Sequence, residues 1–335
     1  MSADRSSSDQ LIEQPAVFGV RSVALTLLDE AAKARQRLGP TVEPDAVHDF
    51  RVALRRLRSW ERAFRPELES SVSRKVRGRL RELAHAANPS RDTVVHLAWL
   101  REQLPTLSPS EHTGVAWLIE SLEHALGLSD ASLLAVVDQR FAATYRRLRR
   151  GLKAVPLKKV RKGGETLGEV VAQRIVGQVE CVRARLAEVR TASDGQAVHA
   201  ARIAGKQLRY TLEPMAAEIR EIEVVLEWLK RLQDVTGDLH DVHVFANDIV
   251  AAAQVGAAAY ARGLTVAVLK GDVGEAAQAQ RENPTPGVLA VAARLRERSA
   301  GGFEVLRREW LGEGATDELV GWVRGIADRG RDRRA

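Results

Sequence analysis

The sequence predicts an all-α fold built as two pseudo-symmetric helical bundles that follow one another along the chain. Three observations support this prediction. No stretch alternates apolar and polar residues for long enough to indicate a β-strand. Segments of helical length are separated by proline, glycine and capping residues. A basic motif of the first half recurs without gaps in the second half, which indicates an internal duplication.

Stop and start signals divide the first half into helices. Ser108-Pro109-Ser110-Glu111 is a capping box with proline at the first helical position. Asn88-Pro89 and Gly127 are typical of helix ends. The predicted helices of this half cover 16–38, 45–64, 67–87, 91–103, 109–127 and 129–150.

A linker and a second set of helices follow. Residues 151–166 are rich in glycine, lysine and arginine, and Thr166 with Glu169 forms another capping box. The remaining predicted helices cover 167–190, 197–217, 218–236, 238–255, 287–310 and 316–329, with a looser Ala- and Gly-rich region at 256–286. We therefore predict a flexible N-terminal tail (1–15), a first bundle (16–150), a basic linker (151–166) and a second bundle (167–330).

The composition excludes several classes of protein. Of the 335 residues, 45% are hydrophobic but only 4% are aromatic, which favours close-packed helices of alanine, leucine and valine. The single cysteine, Cys181, excludes a disulfide framework and an all-cysteine metal site, and we predict that it is a small core residue. The polar first fifteen residues and the lack of a long apolar run predict neither a secretory signal nor a membrane span. We expect a cytoplasmic protein.

The charge of the chain is positive and uneven. The net charge is +7, and residues 48–81 hold eleven lysines and arginines against four acidic residues. This excess predicts a negatively charged partner, although solvated helix faces would give the same net charge.

The internal repeat coincides with the basic region. VHDFRVALRRLRS (47–59) aligns with VHAARIAGKQLRY (198–210) at an offset of 151 residues. Downstream, LRELAHAANPSRD (80–92) aligns with LKRLQDVTGDLHD (229–241) at an offset of 149. Two collinear matches at nearly equal offsets indicate that each half is one copy of a helical bundle.

Each copy of the first motif carries a row of cations on one helical face. At about 100° per residue, five basic groups of 45–64 share a sector of about 80°, beside an apolar face that would pack in the core, and Arg56 lies off this sector. Like charges one turn apart repel, so an anionic ligand would offset the strain. A solvated face is the alternative. The two rows are His48, Arg51, Arg55, Arg58 and Arg62 in the first half and His199, Arg202, Lys206 and Arg209 in the second.

The downstream segment of each half adds further cations to the candidate site. These are Arg77, Arg81 and Arg91 in the first half and Lys230 and His240 in the second. Simple surface basicity is the alternative for this group.

At these motifs the sequence resembles the conserved histidine α-helical domain (CHAD) family, over about residues 16–310. The resemblance implies that the two bundles form a basic central cavity that binds inorganic polyphosphate. It places His48, Arg51, Arg55 and Arg58 at the positions of the first family motif and His199, Arg202, Lys206 and Arg209 at those of the second. Gly205 and Gln207 depart from the pattern and thin the second row.

We therefore predict non-catalytic binding of inorganic polyphosphate, with other polyanions as further ligands, and a location that includes polyphosphate granules. No cofactor, metal, membrane or specific nucleic-acid partner is expected. The histidines, with an unperturbed pKa of about 6.5, would strengthen binding as the pH falls from about 8 to about 6. Their alternative is a structural role.

Two other functions remain open. An arginine-rich helix could bind nucleic acid non-specifically through phosphates. His240 and Asp241, with His243, could belong to a metal-dependent phosphohydrolase. The repeat argues against the second function, because Arg91 stands where His240 stands and arginine does not ligate metals.

Overall fold

The computed structural model describes residues 10–39, 43–154 and 164–332, and these residues form helices without a β-strand. The predicted all-α fold is therefore confirmed. The helices are α1 (Ala16–Gln36), α2 (Pro44–Ala63), α3 (Arg65–Leu68), α4 (Arg74–Ala86), α5 (Asn88–Gln103), α6 (Pro109–Lys153), α7 (Leu167–Ala187), α8 (Gly195–Leu212), α9 (Ile222–Lys270), α10 (Val273–Arg281), α11 (Thr285–Trp310) and α12 (Asp317–Asp332).

Both predicted capping boxes are present. Ser108 and Glu111 cap α6, and Thr166 and Glu169 cap α7, each pair exchanging side-chain and backbone contacts across the first turn. These signals depend on four consecutive residues, so the surrounding fold does not change them.

Two predicted breaks are wrong, because α6 and α9 run through them. Gly127 lies inside α6, and Gly237 lies inside α9, which also takes up residues 256–270 of the Ala- and Gly-rich region. A glycine inside a helix costs about 1 kcal/mol. Burial of apolar residues on both sides of each glycine, such as Leu118 and Leu133 in α6, outweighs that cost.

The N-terminal segment is held by the second half. Residues 1–9 of the predicted tail and 155–163 of the predicted linker lie outside the described residues. Leu11–Glu13 forms a 3-10 helix rather than a flexible tail. The backbone N–H groups of Leu11 and Ile12 donate to the Glu218 carboxylate at 2.7 and 3.1 Å, and Ile12 is buried.

The starts of the two halves lie side by side. The N–H of Ala16 donates to the carbonyl oxygen of Glu165 at 2.9 Å, and the N–H of Leu167 donates to that of Gln14 at 2.8 Å. Helix α1 packs on α2, α7 packs on α8, and α2 packs on α8. The two helices that carry the repeated basic motif therefore meet between the halves.

The apolar residues of the described chain pack into two clusters. The larger contains residues from both halves, among them Phe50 and Leu54 of α2 and Leu208 of α8. The smaller joins α5, the first part of α6, the middle of α9 and the first part of α11, around Phe245. The larger cluster is thus shared by the two halves, and the predicted domain boundaries and structural duplication stay predictions.

Two expectations about exposure need comment. Cys181 is exposed, not buried as predicted, because α7 turns its neighbours Val179 and Val182 into the core instead. Helix α9 has the length and composition of a membrane-spanning helix, with a window of mean hydropathy 1.3 of which 11% is buried. The prediction that nothing spans a membrane stays a prediction.

Candidate anion-binding site

Cations from both motif helices meet where α2 packs on α8. Arg51 and Arg55 of α2 lie close enough to Arg202 and Lys206 of α8 to repel them electrostatically. The guanidinium of Arg55 lies over the ring of Tyr210 on α8, 5.7 Å from its centroid. We call the group Arg51, Arg55, Arg91, Arg202 and Lys206, with its neighbours His48, His199 and His240, the junction cluster.

Burial makes this crowding expensive. Burial, followed by repulsion from Arg55 and then Arg202, lowers the pKa of Lys206 from 10.5 to about 6. Burial is also the main cause that lowers the pKa values of Arg51 and Arg202. Arginine stays protonated throughout the accessible pH range, so these two side chains keep their charge and bear the cost.

Two carboxylates offset part of this charge. Asp92 Oδ1 lies 3.5 Å from Arg51 Nη2, and burial, its largest effect, raises the pKa of Asp92. Asp241, which lies in the second half, attracts Arg51 of the first half and Arg202 and Lys206 of its own half. Two acidic residues face five lysines and arginines in the junction cluster, so a positive surplus remains.

The histidines lie beside this surplus and are neutral at pH 7. His199 Nδ1 and His240 Nδ1 are 3.2 Å apart, which requires that at least one ring be unprotonated. Burial, then repulsion from Arg202, lowers the pKa of both, and that of His240 falls to about 3. Burial, then repulsion from Arg91, lowers the pKa of His48.

Several donors of the junction cluster are buried without a partner among the described residues. They are Arg55 Nε, Arg202 Nε and the ring atom His48 Nδ1. The contrast with Arg51 is instructive, since Arg51 Nε donates to Asn88 Oδ1 at 2.9 Å. At the repeat position of Asn88 the second half has Gly237, and a Cβ there would lie 3.7 Å from Arg202 Nε. A buried donor without a partner costs about 1–3 kcal/mol, and an anion would satisfy it.

The other predicted site residues divide into free and paired cations. Half-buried Arg58 lies near Arg62 and Arg81, which are exposed, and burial followed by repulsion from these two lowers its pKa. Arg77 Nε donates to buried Glu61 at 2.5 Å. Arg209 Nε donates to Glu213 Oε1 at 2.7 Å. Lys230 is exposed, and no contact joins it to the junction cluster within the described chain.

Comparison with known families identifies the chain. The sequence model described as the CHAD domain matches residues 23–247, about two thirds of the chain. This protein belongs to the CHAD-domain family. No curated protein sequence matches it.

One solved structure supports this identification at the level of the fold. The crystal structure of the CHAD domain from the plant Ricinus communis is 17% identical in sequence and has a TM-score of 0.61. The match covers 92% of this chain and 96% of the Ricinus communis chain. PptA from Streptomyces chartreusis is 16% identical, with a TM-score of 0.49 and coverage of 87% and 100%.

Sequence reasoning missed three residues of the candidate site. Asn88 and Gly237 decide whether the arginine opposite them has a partner, and Tyr210 supports Arg55. The alignment of the downstream motifs already set Asn88 against Gly237. Their importance required knowledge of which arginine each one faces.

Cavities of this CHAD protein occur away from the junction cluster. One of about 410 Å³ lies between the N-terminal segment, α7 and α12, and one of about 440 Å³ lies between α8, α9 and α11. A central basic cavity stays a prediction. No group of three histidine, cysteine, aspartate or glutamate residues within the described ranges has the arrangement of a metal site.

Proposed function

We propose that this CHAD-domain protein binds inorganic polyphosphate at the junction cluster and does not turn it over. The observation that carries the proposal is the confinement of Arg51, Arg55, Arg202 and Lys206 at one helix contact, with burial and mutual repulsion opposing their charges. Such unfavourable grouping of like charges is typical of sites where a ligand of opposite charge offsets the repulsion. The CHAD family is associated with polyphosphate binding in general.

Phosphate oxygens are suitable hydrogen-bond acceptors for the N–H donors of the junction cluster. Arginine presents a planar fork that binds phosphate through two parallel hydrogen bonds, and lysine adds a point charge. Arg55 Nε and Arg202 Nε, buried and without a partner among the described residues, would each gain an acceptor from the ligand. A neutral histidine can donate one further hydrogen bond.

A linear chain of phosphates suits the row better than a single phosphate. From His48 to Arg62 the cations follow one face of α2 for about 21 Å, at 1.5 Å per residue. Successive phosphates could contact successive turns of that helix. A polymer also makes several charged contacts at once, so its affinity would fall steeply with salt.

The proposal of binding without turnover is supported by the roles of the acidic residues. Asp92 lies beside Arg51, and Asp241 attracts Arg202, so both carboxylates orient cations. His240 pairs with His199 across the helix contact. We propose that the protein acts in the cytoplasm and at polyphosphate granules.

Calorimetric titration of the full chain with long-chain polyphosphate tests the proposal. Arg202→Gln and Lys206→Gln should each weaken binding at least tenfold. Arg183→Gln is the matched control, because Arg183 is an exposed arginine of α7 paired with Glu180. Its effect should stay below twofold. Equal losses from all three variants would indicate generic surface charge and contradict the proposal.

Two further measurements separate the alternatives. At one salt concentration, duplex DNA should compete with polyphosphate only weakly, and equal competition would favour nucleic-acid binding. The purified protein should release no phosphate from polyphosphate with or without divalent metal. Metal-dependent release that His240→Ala abolishes would establish the hydrolase instead.

A further inference from the structure

The two cationic rows end differently. At the offset of 151 residues, Arg58 of α2 corresponds to Arg209 of α8, and Arg62 corresponds to Glu213. The first row therefore ends on a cation, and the second row ends on a carboxylate one turn after its last arginine.

In the second half that carboxylate occupies the last arginine. Glu213 Oε1 accepts from Arg209 Nε at 2.7 Å, and Gln233 on α9 accepts from Arg209 Nη1 at 2.9 Å. Glu213 Oε2 lies 3.0 Å from Arg56 Nε of the first half. One carboxylate thus pairs with guanidinium groups of both helices at this end of the site.

In the first half the corresponding end is open. Arg58 lies near Arg62 and Arg81, and within the described part of the chain no hydrogen bond or ion pair joins these three to other residues. The acid that attracts Arg58 is Glu61, which is buried and accepts from Arg77 Nε at 2.5 Å. Glu61 therefore does not occupy this group of cations.

We infer that a polyphosphate chain bound at the junction cluster extends along the cationic row of the first half only. Glu213 blocks its extension along the row of the second half. This inference rests on the proposed function and deepens it. Arg58 and Arg62 extend the row of Arg55 by about 10 Å along α2, at 1.5 Å per residue. A long chain can contact Arg58 and Arg62, whereas tripolyphosphate contacts the junction cluster alone. Glu213 is then a specificity-determining residue that sets the direction in which the polymer runs.

The experiment compares matched variants with long-chain polyphosphate and with tripolyphosphate. Arg58→Gln should weaken long-chain binding about fivefold and reduce the slope of log affinity against log salt by about 0.7, the value for one phosphate contact on a flexible chain. Arg209→Gln removes the same charge from the equivalent position and should have an effect of twofold or less. Neither variant should alter the affinity for tripolyphosphate by more than twofold.

A gain of binding provides the second arm. Glu213→Gln removes the negative charge beside Arg209 and Arg56 and leaves their contacts to Gln233 and Glu30 in place. It should therefore strengthen long-chain binding about threefold and steepen the salt dependence. This arm decides the question even if Arg209→Gln, a half-buried change, fails to fold.

The outcomes separate the inference from the proposed function. Equal weakening by Arg58→Gln and Arg209→Gln, or a Glu213→Gln protein with unchanged affinity and salt slope, would overturn the one-sided path. Failure of the unmodified protein to bind long-chain polyphosphate would overturn the proposed function and the path together.

Discussion

Arg51 in the first half and Arg202 in the second occupy equivalent motif positions, but their surroundings differ. Arg51 donates to Asn88 and lies 3.5 Å from Asp92. Arg202 faces Gly237, and its Nε is buried with no partner in the described chain. Of these two arginines, Arg202 of the second half is therefore the one whose Nε still lacks a hydrogen-bond acceptor among the described residues.

The opposite holds at the C-terminal ends of the rows. Among the described residues Arg58 has no hydrogen bond or ion pair, whereas Arg209 is bound by Glu213 and Gln233. Equal motif spacing thus gives two rows in which different members are available. The partners that other helices supply decide which cations can bind a ligand.

Removal of two cations from the helix contact should have the largest effect. The double variant Arg55→Gln with Lys206→Gln takes one cation from each half, and a hydrogen bond to a charged group contributes about 1.5–3 kcal/mol. We expect at least a 100-fold loss of polyphosphate affinity by calorimetry. The double variant Arg183→Gln with Arg324→Gln removes the same charge at Glu180 and should lose less than threefold. Similar losses would mean that the halves contribute only net charge.

The pH dependence of binding should come next in size. The pKa of Lys206 is about 6 in the free protein, and a bound anion raises it, so binding takes up a proton. Affinity should therefore increase as the pH falls from about 8 to about 6, by up to tenfold per pH unit. The lowered pKa values of His48, His199 and His240 move this window from the histidines to Lys206. Lys206→Arg, which keeps its charge, should flatten the profile, and an unchanged slope would contradict this assignment.

Gly237→Asn should make the second half resemble the first. The new side chain offers Arg202 the acceptor that Asn88 offers Arg51, and the Cβ fits at 3.7 Å from Arg202 Nε. We expect about threefold weaker polyphosphate binding. Gly237→Ala adds the Cβ without the acceptor and should bind within twofold of the unmodified protein. If both variants bind equally, the missing partner of Arg202 does not matter.

The smallest expected effect is on stability. The pKa of Lys206 is lower in the folded protein than in the unfolded chain, so the unfolded chain binds more protons between about pH 6 and 10.5. The buried Lys206 therefore lowers the free energy of unfolding at pH 7, and this loss disappears as the pH rises through that window. Lys206→Met should raise the melting temperature at pH 7 by about 2–4 °C, and the gain should shrink by pH 10. A gain independent of pH would point to packing instead.

Local sequence signals predicted local structure well. The capping boxes at Ser108 and Thr166 are present because each needs only its own four residues. Gly127 and Gly237 misled because the small local cost of a glycine is exceeded by tertiary packing, which a short window of sequence does not contain.

The candidate site was predictable to the extent that it depends on helical period. The spacing of Arg51, Arg55, Arg202 and Lys206 places each pair on one face, and the helix contact then brings the pairs together. Glu213 could be recognised four residues after Arg209, but Gln233 comes from another helix. The same applies to Asn88, because its distance from Arg51 depends on how α5 packs.

The hydrogen bonds that join the starts of the two halves also constrain the order in which the protein is completed. Leu11 and Ile12 bind Glu218, and residues 14 and 16 bind residues 167 and 165, all more than 140 positions away. Chains emerge from the ribosome with the N-terminus first. The segment before α1 must therefore wait, without its backbone partners, until the start of α7 and Glu218, which follows α8, have been synthesised. The first residues of this region to be made are among the last to reach their final contacts.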